Sequence, residues 1–438
     1  MLKKRAFLTS AIDGTAFAAL FSAFLCCVIL TGCQKPSSPA LYGIETASPG
    51  PGAADSDKAD PPAPSPEPGT TDPASSAAPS PSPTPSPPPK LVEYDGLIEN
   101  IFLHPLVVYP ELAFDGDSMS QGYDDWFVTV PEFNKIIESI YEKGYILIDI
   151  NSLVGPDSGP DKTDKPDETD KADKTDKTDK TPGAGVSIAR KPLMVPEGKK
   201  PLVLSVDDLN YYEYMRQDGN NYNLILDQNG DVAAYSKDPA GNDVVSRDNE
   251  VVTIVDDFVR RHPDFSLDGA KGVICETGYE GVLGYRTDQP DSPSYVQDKA
   301  DALKVVSRLK ATGWSFSSHS YYHKHLDKLS YAGFTEDTDR WLKEVEPIIG
   351  PTRVFMYPFG AYVDSDTPKF NYLEQNGFRI YCGVGIKVYN RWTPDHLYMD
   401  RTNIDGYSMR NHKAELARFF DADSVIDLNA RTAYLKKK

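Results

Sequence analysis

Pro201-Leu202-Val203-Leu204-Ser205-Val206 runs straight into Asp207-Asp208. Six residues rich in branched apolar side chains, too few for a stable helix, read as a buried strand. Upstream, residues 145–150 read as a second buried strand. Residues 130–144 before it read as a helix, with Pro131 near its start, Phe133, Ile136, Ile137 and Ile140 on one face and Gly144 at its end. Residues 101–108 read as a further strand. Downstream the alternation continues: helix 251–262, strand 272–277, helix 296–312 stopped by Gly313, strand 314–318, helix 335–349, strand 353–357 and short helix 369–376. Strands 378–383 and 397–404 and a closing helix 409–420 follow. Repeated strand–helix units place the chain in the α/β class, as a barrel or a doubly wound sheet. In either, chemistry belongs at the C-terminal ends of the strands.

Three of those strand ends carry chemically able groups. The first is Asp207-Asp208. The second is His319-Ser320-Tyr321-Tyr322-His323, and the third is Tyr357-Pro358-Phe359-Gly360. Singly each is weak, because a carboxylate pair after a strand is usually a turn or a cap. Together they fit one site. If the chain turns helical after residue 318, His319 and His323 lie one turn apart and reach one cation. Asp208 offers a third ligand, and positions stay open for water and substrate. A divalent ion so held lowers the pKa of its water. Strand alternation should turn Asp207 away from Asp208, leaving it free to take a proton.

This arrangement resembles the polysaccharide deacetylases of carbohydrate esterase family 4, the nodulation-protein-B-like proteins. Ser205-Val206-Asp207-Asp208-Leu209 is similar to their first motif, His319-Ser320-Tyr321-Tyr322-His323 to their second, and Tyr357-Pro358-Phe359-Gly360 more loosely to their third. The resemblance implies an irregular (β/α) barrel of seven or eight strands. It implies Asp207 as general base and Asp208, His319 and His323 as ligands of a divalent metal, Zn2+ by expectation. The Phe359 backbone N–H then helps form the oxyanion hole. Leu209 departs from the family's glycine, and Met356 stands near the place of its base-orienting arginine. The family's C-terminal Leu-x-His is missing too. A circularly permuted arrangement would put the proton donor ahead of the Asp pair, and His104 fits that position. Arg401 is the candidate for the missing cation. Tyr211, Tyr357 and Pro358 are candidates to line a sugar groove.

The remaining chain supplies context. Of 438 residues, 36 are proline, and 17 of those fall between residues 34 and 90. Such a Pro/Ser/Ala stretch cannot bury enough apolar surface to fold, so 33–90 reads as a disordered linker. Residues 157–182 read as a low-complexity Thr-Asp-Lys insertion within a domain spanning 91–438. Lys3, Lys4 and Arg5 precede an uncharged apolar run ending in Leu30-Thr31-Gly32-Cys33. This resembles a bacterial lipoprotein signal over residues 1–32, with lipid on Cys33 holding the protein outside the cell membrane. A net charge of −19 excludes a phosphate-binding basic face, so no nucleic-acid partner is expected. Cys275 and Cys382 read as buried free thiols.

The expected activity is metal-dependent hydrolysis of acetamides on N-acetylated sugars of an extracellular polysaccharide, of peptidoglycan or poly-N-acetylglucosamine type. The alternative is a catalytically impaired barrel that only binds surface glycan. A glycosidase needs carboxylates on both sides of the scissile bond, which adjacent Asp207 and Asp208 do not provide.

Overall fold

The computed structural model describes residues 89–157 and 187–435. The expected signal over 1–32, Cys33, most of the expected linker and most of the charged insertion lie outside these residues.

Seven parallel strands form the centre. They are β1 (Glu99–Leu103), β2 (Lys200–Asp207), β3 (Gly272–Glu276), β4 (Trp314–Ser318), β5 (Val354–Met356), β6 (Ile380–Val384) and β7 (Leu397–Asn403). Each pairs with the next, and β7 returns to β1 through Thr402↔Ile101 and Asn403↔Phe102. The sheet is thus a closed barrel, not a doubly wound sheet. It is irregular at two seams. Tyr145–Leu147 pairs with the start of β2, ahead of the stretch where β3 takes over. Asn390–Trp392 lies antiparallel on the start of β7, and Asn390 Oδ1 accepts from the Ile98 N–H at 2.7 Å.

Alternation along the strands splits the core into two layers. Val203, Val273, Cys275, Val354, Met356, Ile380, Cys382, Leu397 and Met399 fill the barrel interior. The opposite faces, including Leu202, Leu204, Val206, Ile274, Phe316, Phe355 and Tyr381, pack under the helices. Both cysteines are buried and free. The longer helices include α1 (Val130–Glu142), α2 (Val251–Arg261), α3 (Tyr295–Ala311), α4 (Tyr331–Glu344) and α5 (Pro368–Gln375). α1 opens on a capping box between Thr129 and Glu132 and buries Phe133, Ile136, Ile137 and Ile140, the stripe read from the sequence. Gly313 after α3 takes φ 103°, and a Cβ there would meet the Gly269 carbonyl at 1.9 Å. Only glycine fits this stop.

Several elements depart from expectation. The strand expected over 101–108 ends at Leu103, because Pro105 cannot donate to the ladder. The helix expected over 335–349 begins at Tyr331, capped by Ser330, and breaks at Glu344 before Pro347. The helix expected over 409–420 is two short ones, Gly406–Asn411 and Lys413–Leu416. A three-stranded antiparallel sheet, Asn223–Leu226, Val232–Lys237 and Asp243–Ser246, was not anticipated. No helix among the described residues is long and apolar enough to cross a membrane.

Candidate active site

Because the barrel strands are parallel, their C-terminal ends gather at one end of the barrel. There the structure brings together His104 after β1, Asp207 and Asp208 at β2, His319 and His323 after β4, and Arg401 on β7.

Asp208, His319 and His323 each offer a ligand atom, all within 4.8 Å of one another. His323 Nε2 lies 3.6 Å from Asp208 Oδ2, and the two imidazole centroids are 5.0 Å apart. His319 Nδ1 donates to the Met356 carbonyl at 2.9 Å, so Nε2 keeps its lone pair for the site. Burial lowers both histidines, His319 to about 4 and His323 to about 3, so both are neutral near pH 7. Burial pushes the Asp208 carboxyl up, partly opposed by His319, His104 and the Tyr212 hydroxyl. One buried carboxylate and two neutral imidazoles are a donor set suited to a divalent transition cation. The residues present fit the implied metal.

The route to this geometry differs from expectation. Residues 319–323 form a bend rather than a helical turn, with φ of 59° at Ser320 and 50° at His323. Asp337 on α4 holds the bend by accepting from the Tyr321 and Tyr322 N–H groups at 2.8 and 3.0 Å. Strand alternation was expected to part the two aspartates. It does aim Asp207 into the barrel, but φ of 60° at Asp208 ends the strand and turns the second carboxylate back to the same site. Among the described residues, five of the eight non-glycine residues with positive φ belong to the loops at these strand ends: Asp208, Tyr211, Ser320, His323 and Phe359. Left-handed backbone at such residues is costly and concentrates at functional sites.

Arg401 is fully buried and clamps Asp207 bidentately, Nη1 to Oδ1 at 2.6 Å and Nη2 to Oδ2 at 2.9 Å. Its Nη1 also bonds Ser205 Oγ at 3.2 Å, and its guanidinium lies 4.3 Å from the Phe102 ring centroid. Burial alone would raise the Asp207 carboxyl, but the Arg401 charge, with His319 and His104, holds it well below the usual carboxylate range. Arg401, the candidate for the missing cation, thus reaches Asp207 from β7. His104 Nδ1 lies 3.1 Å from the Trp126 carbonyl, which fixes the ring, and Nε2 lies 4.0 Å from Asp208 Oδ2. Phe359 sits in a left-handed turn, its ring 4.5 Å from that of His323.

The three candidates for lining a groove are all buried. Tyr211 is wholly buried, donating to Glu250 Oε2 at 3.0 Å. Tyr357 and Pro358 are also buried, Tyr357 packing against Phe355 and Tyr381. Apolar rings and an imino ring beside the site serve the core here, because the strand ends sink beneath the loops. The neighbour of Tyr211 was missed: Tyr212 Oη donates to Asp208 Oδ1 at 2.8 Å and lies 2.8 Å from Thr277 Oγ1. The Tyr-Tyr pair beside the aspartates was a visible signal, but which ring turns to the carboxylate depends on the left-handed turn at Tyr211.

A family model described as polysaccharide deacetylase matches residues 292–381. No curated protein is similar enough to the chain to register as a match. Among solved structures, the Streptococcus pyogenes deacetylase PplD in complex with acetate is 12% identical, with a TM-score of 0.37, over 73% of this chain and 94% of that one. A polysaccharide deacetylase from Bacillus cereus is 14% identical, with a TM-score of 0.35, over 70% of this chain and 65% of that one. A family 4 carbohydrate esterase from Streptomyces lividans in complex with acetate is 13% identical, with a TM-score of 0.22, over 41% of this chain and 81% of that one. The stretch that is similar to polysaccharide deacetylases includes His319, His323, Tyr357, Pro358 and Phe359.

Proposed function

We propose that the protein is a metal-dependent deacetylase acting on N-acetylated sugars of an extracellular polysaccharide, of peptidoglycan or poly-N-acetylglucosamine type, with Zn2+ as its metal. Deacetylation of a polysaccharide is the activity that the family match supports. The observation that carries the finer reading is the convergence of Asp208, His319 and His323 beside a second carboxylate, Asp207, clamped by Arg401.

In this reading Asp208, His319 and His323 hold the cation. When bound, it supplies Lewis acidity for an acetamide carbonyl and acidifies water. Asp207 stays ionised at working pH, and Arg401 holds both its oxygens in place as it receives the proton of the attacking water. The Phe359 backbone N–H stabilises the developing oxyanion. His104, oriented by the Trp126 carbonyl, gives a proton from Nε2 to the departing amine. The C–N bond of the acetamide breaks, acetate leaves and the sugar keeps a free amine. The domain spans 91–438, anchored outside the cell membrane by lipid on Cys33 after loss of residues 1–32, with 33–90 as the spacer.

Acetate release from N-acetylated chito-oligosaccharides and from peptidoglycan fragments, with and without a chelator, tests the activity. Release that stops on chelation and returns with Zn2+ supports it. Glycan binding without acetate release under any metal would replace it with a binding module. A Cys33→Ser chain that stays in the membrane fraction would remove the anchor.

A further inference from the structure

A second cluster lies at the other end of the barrel. Glu374 is in the last turn of α5, and Asp395 and His396 immediately precede β7. Because Leu397 begins β7 and Ile380 begins β6, this cluster sits at the N-terminal ends of the strands, opposite the Asp208 site. Glu374, Asp395 and His396 each offer a ligand atom, all within 4.8 Å of one another.

His396 is 96% buried by its 4% exposure, yet its Nδ1 has no hydrogen-bond partner among the described residues. That nitrogen lies 3.7 Å from Glu374 Oε1 and 3.7 Å from Asp395 Oδ1, too far for a hydrogen bond to either. Glu374 Oε1 is likewise buried and without a hydrogen-bond partner among the described residues. Orphaned buried polar atoms are costly, and here two of them face a common point. A cation about 2 Å from each would satisfy both.

The surroundings hold the donors apart rather than letting them pair. The Phe370 and Tyr381 rings pack edge-on against the His396 imidazole at 4.8 and 5.7 Å and fix its plane. Thr393 Oγ1 lies 3.0 Å from Asp395 Oδ1 and accepts from the His396 N–H at 2.9 Å. Nearby Arg379 donates from Nη1 to the Glu374 and Phe378 carbonyls, and its Nε, 3.3 Å from Asp157 Oδ2, has no hydrogen-bond partner among the described residues.

We propose that Glu374, Asp395 and His396 form a second divalent-cation site, selective for a transition ion such as Zn2+ over Mg2+ or Ca2+. One imidazole nitrogen with two carboxylates favours a borderline ion over the hard, all-oxygen ions. Such an ion ties α5 to the segment entering β7, the strand that carries Arg401, so its role is structural.

The test is Zn2+ titration of the full chain in a His319→Ala/His323→Ala background, followed by calorimetry and metal analysis after dialysis. That background is expected to bind one equivalent and to melt higher with Zn2+ than with Mg2+. Adding His396→Gln should abolish both effects while leaving the zinc-free melting temperature close to its parent. Should His396→Gln fold poorly, Glu374→Gln, a partly exposed position, should weaken the site by roughly 10-fold or more. Equal zinc binding with and without His396 and Glu374 would overturn the proposal. The Asp208 site is judged separately, by comparing the wild-type chain with the His319→Ala/His323→Ala background.

Discussion

At the scale of single residues, the carboxylates of Asp207 and Asp208 are adjacent in sequence but stand in opposite electrostatic circumstances. Asp207 meets a buried guanidinium, whereas Asp208 meets neutral imidazoles and a tyrosine hydroxyl. Arg401→Lys keeps the charge but loses the two-pronged hold on Asp207. It should keep its metal and lose turnover by roughly 10-fold or more, read as kcat beside metal content. Tyr212→Phe removes the hydrogen bond that orients Asp208, so zinc affinity should fall by roughly 10–100-fold with the fold unchanged; unaltered affinity in a competition titration would count against that role. His104→Ala should keep its metal and lose turnover by roughly 10²–10⁴-fold. Near wild-type turnover there would put the proton donor elsewhere. His396, at the far end of the barrel, is not placed to supply it.

At the scale of elements, the loops after the strands are held by groups from distant segments. Glu250, the N-cap of α2, is an instance. It accepts from the Val251 and Leu106 N–H groups at 2.8 and 3.3 Å, from Tyr211 Oη at 3.0 Å and from Asn221 Nδ2 at 3.1 Å. Burial pushes its carboxyl up to about 7, against the pull of those four donors. The native state therefore binds a proton that an unfolded glutamate has already released. This contribution is complete below the ordinary glutamate range and is lost as pH rises through about 7. Its full size is of order 3 kcal/mol, at one pKa unit per about 1.4 kcal/mol. Melting temperature against pH should fall between pH 5 and 7 in the wild type, and Glu250→Gln should flatten that slope.

At the scale of the whole molecule, closure of the barrel makes the site. Arg401 and Asp207 are 194 residues apart in the chain and meet only because β7 returns to β1. The charged insertion interrupts the chain between Tyr145–Leu147 and β2, two elements that pair directly. Its repeats offer no apolar face, and lengthening a loop costs only about 0.6 kcal/mol per doubling. Deleting residues 158–181 should leave the melting temperature nearly unchanged. The deletion must spare Asp157, expected as the insertion's first residue, because it pairs with Arg353 and Arg379. A drop of many degrees would mean that the repeats pack on the barrel.

The amino-acid sequence by itself determined the alternation of strands and helices, the burial of Phe133, Ile136, Ile137 and Ile140, and the strand-end positions of Asp207, Asp208, His319 and His323. These follow from local periodicity and from turn chemistry, which a single chain segment carries within itself. His104 and Arg401 were legible only as candidates, since neither has a motif of its own. Tertiary structure decided that seven strands close, that Arg401 reaches Asp207 and that Tyr212 rather than Tyr211 turns to the site. It also replaced the expected helical turn after His319 with a bend held by Asp337, and sank Tyr211, Tyr357 and Pro358 beneath the loops. The physical reason is common to all of these. Left-handed backbone at Asp208, Tyr211, Ser320, His323 and Phe359 is locally unfavourable, so no local pattern announces it, and only contacts from other strands and helices hold it in place.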